Sequence, residues 1–169
     1  MIDIFKNSNK TQTNWTYNRT VFFLDPYGME VDWSTITAIA RTNAADLWLL
    51  FPLGIGVTRL LTKQRPPKGA WANRLSVIFG TEDWKEIFYP KQTIATLFGE
   101  IVMRRREANW DKIREYFVNR LKQVFVEVAN NPLVLRNSKN VPLFLLCFAA
   151  SNPRKAKLAV EIAQNILKV

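Results

Sequence analysis

Two groups of residues in this chain have the types and spacing to do chemistry. Asp25 closes the apolar run Thr20-Val-Phe-Phe-Leu24 and is followed at once by Pro26, Tyr27 and Gly28. In open α/β sheets the loops just beyond the carboxyl ends of the strands are where ligands sit. Asp25, Pro26 and Tyr27 are therefore the candidate ligand-facing site. The alternative is that Asp25 caps the turn and Gly28 supplies a positive φ. The second group is cationic. Between Asp46 and Glu82 there is no acidic residue, while Arg59, Lys63, Arg65, Lys68 and Arg74 accumulate. Such a block reads either as an electrostatic footprint for a phosphate backbone or as a solvated basic surface. Arg104-Arg105-Arg106 adds a further cluster, and a second acid-free stretch from Glu127 to Glu161 holds Arg136, Lys139, Arg154, Lys155 and Lys157. Trp71 and Trp84 lie near the first block as stacking or core residues.

Other chemistries are closed off. The chain has no His among its 169 residues. Ser-His-Asp and Cys-His nucleophile systems are excluded, as are His-containing zinc sites, and no metal site is expected. The lone Cys147 sits within an apolar run and reads as a small buried hydrophobe. Single-cysteine usage points to a reducing, cytoplasmic setting. The longest uncharged apolar runs, Leu47 to Thr58 and Val141 to Asn152, are shorter than the roughly 20 residues of a membrane span, so no membrane partner is expected. With 48% apolar residues and a net charge of +10, the chain has material for one core and a surface biased towards anionic partners. Nucleic acid is the partner that this charge suggests.

The elements that must position these residues follow from pattern. Thr20–Leu24 has no alternation and predicts a strand covered on both faces. Asp32 is placed to cap a helix over 33–42 with Trp33, Ile36, Ile39 and Ala40 inward. Asp46–Phe51 is a second buried strand, with Asp46 a structural hydrogen-bonding group rather than a base. Strand, helix and strand in this space predict a parallel βαβ unit. A helical insertion is expected over about 56–123, with helices near 56–63, 71–79, 82–88, 92–106 and 110–122 around the loop Gln64–Gly69. Strands at Phe125–Ala129 and Leu143–Ala149 predict an antiparallel hairpin, and a final helix follows Asn152 and Pro153 with Ala159, Ile162, Ala163 and Ile166 inward. Residues 1–19 read as a flexible lead-in to a domain over 20–169.

Val21-Phe-Phe-Leu-Asp-Pro-Tyr-Gly-Met-Glu-Val-Asp-Trp-Ser-Thr-Ile36, Ala45-Asp-Leu-Trp-Leu-Leu-Phe-Pro-Leu-Gly54 with Arg59-Leu-Leu61, and Phe79-Gly-Thr-Glu-Asp-Trp84 resemble the three-Cys-motif partner protein (TcmP) family from about residue 20 onwards. The resemblance implies a partial Rossmann-like, methyltransferase-like sheet within an α/β fold. Asp25-Pro26-Tyr27 is similar to the (Asp/Asn/Ser)-Pro-Pro-(Tyr/Phe) motif of base-directed amino-methyltransferases, whose aromatic residue stacks on the flipped base. Here Tyr27 follows Pro26 directly, a departure from that pattern. The family's upstream glycine-rich loop has no counterpart, so no cofactor is expected in this chain, while S-adenosylmethionine belongs to the complete family domain. The expectation is a substrate-side portion, inactive alone. A basic nucleic-acid-binding or accessory module without catalysis is the alternative. In methyltransferase topology the strand at 20–24 is internal, which predicts self-association, a partner polypeptide or residues 1–19 along its edge.

Overall fold

Runs of β-branched and aromatic residues set the sheet, and the number of faces each run buries sets its place in it. The computed structural model describes residues 15, 18–25, 29–97 and 99–168. The lead-in expected over 1–19 lies largely outside these residues. The fold is mixed α/β. Strand β1 (Thr20–Leu24) leads through α1 (Trp33–Ala40) to β2 (Ala45–Phe51). The two strands are parallel with Thr20 opposite Ala45, so the βαβ unit expected from the sequence is present. A π-helical turn (Leu53–Val57), α2 (Thr58–Leu60), α3 (Ala70–Phe79) and α4 (Trp84–Phe88) follow. After β3 (Lys91–Thr96), β4 (Gly99–Arg104) and α5 (Trp110–Lys122), the chain closes with β5 (Glu127–Val128), β6 (Leu133–Arg136), β7 (Pro142–Ala150) and α6 (Ala156–Ile166).

The main sheet runs β1-β2-β7-β5. β7 is antiparallel to β2, and β5 and β6 lie end to end along its other side, opposite Ala149–Ala150 and Pro142–Leu146. Side-chain alternation gives the sheet two unequal faces. Leu47, Leu49 and Phe51 of β2 and Leu145, Cys147 and Ala149 of β7 meet α1, α3, α4 and α5 in the larger core. At its centre Phe117 stacks on Phe51 at 3.8 Å and meets Trp33 edge-on at 6.3 Å. The opposite face is covered by α6, whose Ala156, Val160 and Ala163 meet Phe148, Ala150 and Trp48. Buried Ser151 joins the two central strands, its hydroxyl donating to Ala45 O (2.7 Å) and accepting from Ala45 N (3.0 Å).

Four expectations change. β1 is not covered on both faces: Phe22 and Leu24 meet the core, but Val21 and Phe23 are 64% and 62% exposed. Segment 92–106 is a two-stranded antiparallel ribbon rather than a helix, with Ile94 opposite Ile101. Its β-branched residues (Thr93, Ile94, Thr96, Ile101, Val102) favour extended backbone, and Gly99 takes φ +115 beside the turn. β6 forms within what reads as a long loop, through a turn in which Asn137 Oδ1 accepts from Lys139 N and Val141 N. On α6, Ala163 is inward, but Ile162 and Ile166 are exposed while Val160 and Leu167 are buried. The helix starts later than expected, because Asn152 Oδ1 caps the preceding turn through Arg154 N and Lys155 N.

Candidate functional site

The loop after α2 begins the site, and it is braced from below. Tyr89, fully buried, donates its hydroxyl to Thr62 O (2.8 Å), and Arg106 Nη1 donates to the neighbouring Leu61 O (3.0 Å). Thr62 Oγ1 donates to Arg65 O, closing the loop on itself. Pro66 and Pro67 restrict the backbone further, with Pro67 buried. Burial raises the Tyr89 phenol above its ordinary range, more than its Thr62 hydrogen bond and the Arg106 charge lower it, so the group remains a neutral donor at physiological pH.

A groove of ≈ 960 Å³ runs between this loop, α4 and the end of β4. Lys63, Arg65, Lys68, Lys85, Arg104 and Arg105 line it, and among the described residues no carboxylate does. Two of these cations are already matched. Lys85 Nζ is 2.8 Å from Glu82 and 5.7 Å from the Trp84 ring centre, and Arg104 Nη2 is 2.6 Å from Glu86. That guanidinium holds the exposed Glu86 carboxyl below its ordinary value, chiefly through the hydrogen bond. Lys63, Arg65, Lys68 and Arg105 are exposed and have no ion pair among the described residues. Four cations without an ion pair among the described residues thus share one recess, where each raises the local positive potential.

No family model, curated protein or solved structure matches the chain. The site therefore rests on its own geometry. The structure divides the cations that the sequence offered together. Lys63, Arg65 and Lys68 share the groove. Arg59 is exposed on α2 but does not line it. Arg74 is turned away, its Nη1 2.9 Å from Asp32 Oδ1, and this ion pair replaces the side-chain cap that Asp32 was expected to give α1. Arg106 is structural, spanning Leu61 O and Ala108 O. Lys85 and Arg105 join the groove although their own segments mark them weakly. The signal available for Arg105 was the Arg triplet, and the ribbon that delivers it was not foreseen.

The other candidate corner is partly described. Asp25 is exposed at the carboxyl end of β1, while Pro26 and Tyr27 lie outside the described residues. Beside it, Met29, Val31, Leu49, Phe51 and Pro52 line an apolar recess of ≈ 10 Å³, room for a single water. Trp84 is core, with its indole N–H on Ser76 Oγ at 3.1 Å, whereas Trp71 is exposed. Cys147 is buried, and burial pushes its thiol well above the ordinary range, which makes it inert. Asp46 is half-buried on the sheet face away from the larger core, its carboxyl raised by burial and lowered to a lesser degree by Arg19.

Proposed function

We propose that the chain binds nucleic acid through the basic groove, as the substrate-side portion of a Rossmann-like, methyltransferase-like protein resembling the TcmP family. The observation that supports the binding is the convergence of Lys63, Arg65, Lys68 and Arg105 on one groove that no carboxylate lines among the described residues. Phosphates are the anions that a nucleic acid repeats along its backbone, and cations on a braced loop meet them with little ordering cost.

Two features support the link to methyltransferase-like sheets. A parallel βαβ pair is followed by closing antiparallel strands, the arrangement that the resemblance implies. Asp25 stands at the strand end where such proteins hold the target base. The groups present do not fit S-adenosylmethionine. Gly54 and Gly56, between β2 and α2, are packed against Pro142 O and Met29 rather than open to a ligand, and the recess beside Asp25 is apolar and water-sized. Binding without catalysis is thus the activity proposed for this chain, and methyl transfer would require groups supplied from elsewhere.

The test compares binding of a fluorescein-labelled DNA duplex by the wild type and by Lys63→Gln/Arg65→Gln/Lys68→Gln/Arg105→Gln. The expected loss is about 10- to 100-fold at low salt. A control with equal charge loss, Arg154→Gln/Lys155→Gln/Lys157→Gln/Lys168→Gln, should retain most of the affinity. Equal losses in both variants would mean that net charge, not the groove, binds DNA, and the proposal would fail.

A further inference from the structure

We propose that the open edge of β1 pairs with β1 of a second copy of this chain, antiparallel and centred on Phe22, joining two five-stranded sheets edge to edge. Among the described residues β1 has one strand neighbour, β2. Thr20 donates its N–H to Ala44 O on that side. By alternation, the backbone groups of Thr20, Phe22 and Leu24 face β2, and those of Arg19, Val21, Phe23 and Asp25 face the open edge.

That parity restricts the register. In an antiparallel pair, residues directly opposite either both exchange hydrogen bonds or both do not. Centring the two-fold on Phe22 sets Phe22 against Phe22 as a non-bonded pair. Val21 then meets Phe23 of the other copy as a bonded pair. One step further, Arg19 of each copy meets Asp25 of the other. All four of these edge residues lie on the face away from the larger core. Arg19 and Asp25 are exposed, and Arg19 acts on Asp46 of the same face only through its field, with no ion pair between them. Self-pairing therefore covers the exposed Val21 and Phe23 and places opposite charges across the interface at both ends. Centring on Val21 or Phe23 instead leaves Arg19 opposite Phe23, or Asp25 opposite Val21. The charge pattern thus selects one register and one occupant, a second copy.

Sedimentation of the full chain at about 100 µM, a concentration suited to a weak dimer, tests this without nucleic acid, so the result is separable from the groove proposal. The wild type should sediment as a dimer. Arg19→Asp and Asp25→Arg each place like charges opposite one another twice, and should weaken dimerisation by about tenfold or more. The double swap, Arg19→Asp with Asp25→Arg, should restore it. Val21→Pro removes an outward N–H while leaving the β1–β2 bonds intact, and should abolish the dimer in a protein that remains folded by circular dichroism. A monomeric wild type, a double swap no tighter than the single reversals, or a folded Val21→Pro dimer would each overturn the proposal.

Discussion

Asp46 and Tyr89 are both raised by burial, with opposite meanings for the fold. For Tyr89 the rise preserves the phenolic proton that holds Thr62 O, so the donor bracing the groove is insensitive to ordinary pH. For Asp46 the rise above 3.8 means that the folded protein disfavours the carboxylate. The folded state then binds the proton more tightly than the unfolded chain, and this group's contribution to stability is greatest in acid. It declines as pH rises from the unfolded value through the folded one. Asp46→Asn should therefore raise Tm at pH 7, with the gain shrinking as pH approaches 3. A lower Tm at pH 7 would mean that attraction to Arg19 outweighs burial. At this scale the sequence was half legible. Its acid-free stretch located Lys63, Arg65 and Lys68, but charge alone does not distinguish a cation left open from one drawn to a carboxylate or carbonyl. Arg74 went to Asp32 and Arg106 to Leu61 O, through contacts between segments distant in sequence.

Elements whose apolar residues faced one way were read well. Trp33, Ile36, Ile39 and Ala40 of α1 are all buried as their spacing implies, and Ile113, Phe117 and Leu121 of α5 are buried as well. Where periodicity was double, the reading failed. On α6, Leu158, Ile162 and Ile166 form a stripe as regular as the buried one, and both cannot face the sheet. The β3–β4 ribbon is missed for another reason: among the described residues Ile94, Leu97, Ile101 and Met103 are exposed, so no burial pattern marks it. Gly80 shows how tightly the well-read helices are set. It ends α3 at φ +68, and a Cβ there would come within 2.0 Å of the Trp33 ring. Gly80→Ala should cost about 2–4 kcal/mol from backbone strain and overpacking together. Thermal unfolding should show Tm falling by about 5–12 °C. An unchanged Tm would mean that α1 and α3 are packed more loosely than described.

The whole molecule combines a sheet with the larger core on one face and α6 on the other, an edge strand with two exposed apolar residues, and a basic groove. An apolar strand edge is a template for pairing, and the proposed dimer through β1 would occupy it. The βαβ unit and the mixed sheet were visible from Asp25 back to Thr20 and from Asp46 to Phe51, because parallel pairing leaves unbroken apolar runs. The groove as a surface was not visible, since it joins residues 63–68 to 85 and 104–105 through the fold. Among the described residues no helix is long and apolar enough to cross a membrane. A net charge of +10 alone would attract any polyanion diffusely, whereas a groove with four unmatched cations releases a definite number of counterions. The direct measurement is the affinity of the wild type for a DNA duplex across salt concentration. If four to six groove cations engage phosphates, log K should fall against log salt with a slope between about −3.5 and −5.5. A slope near zero would contradict the account.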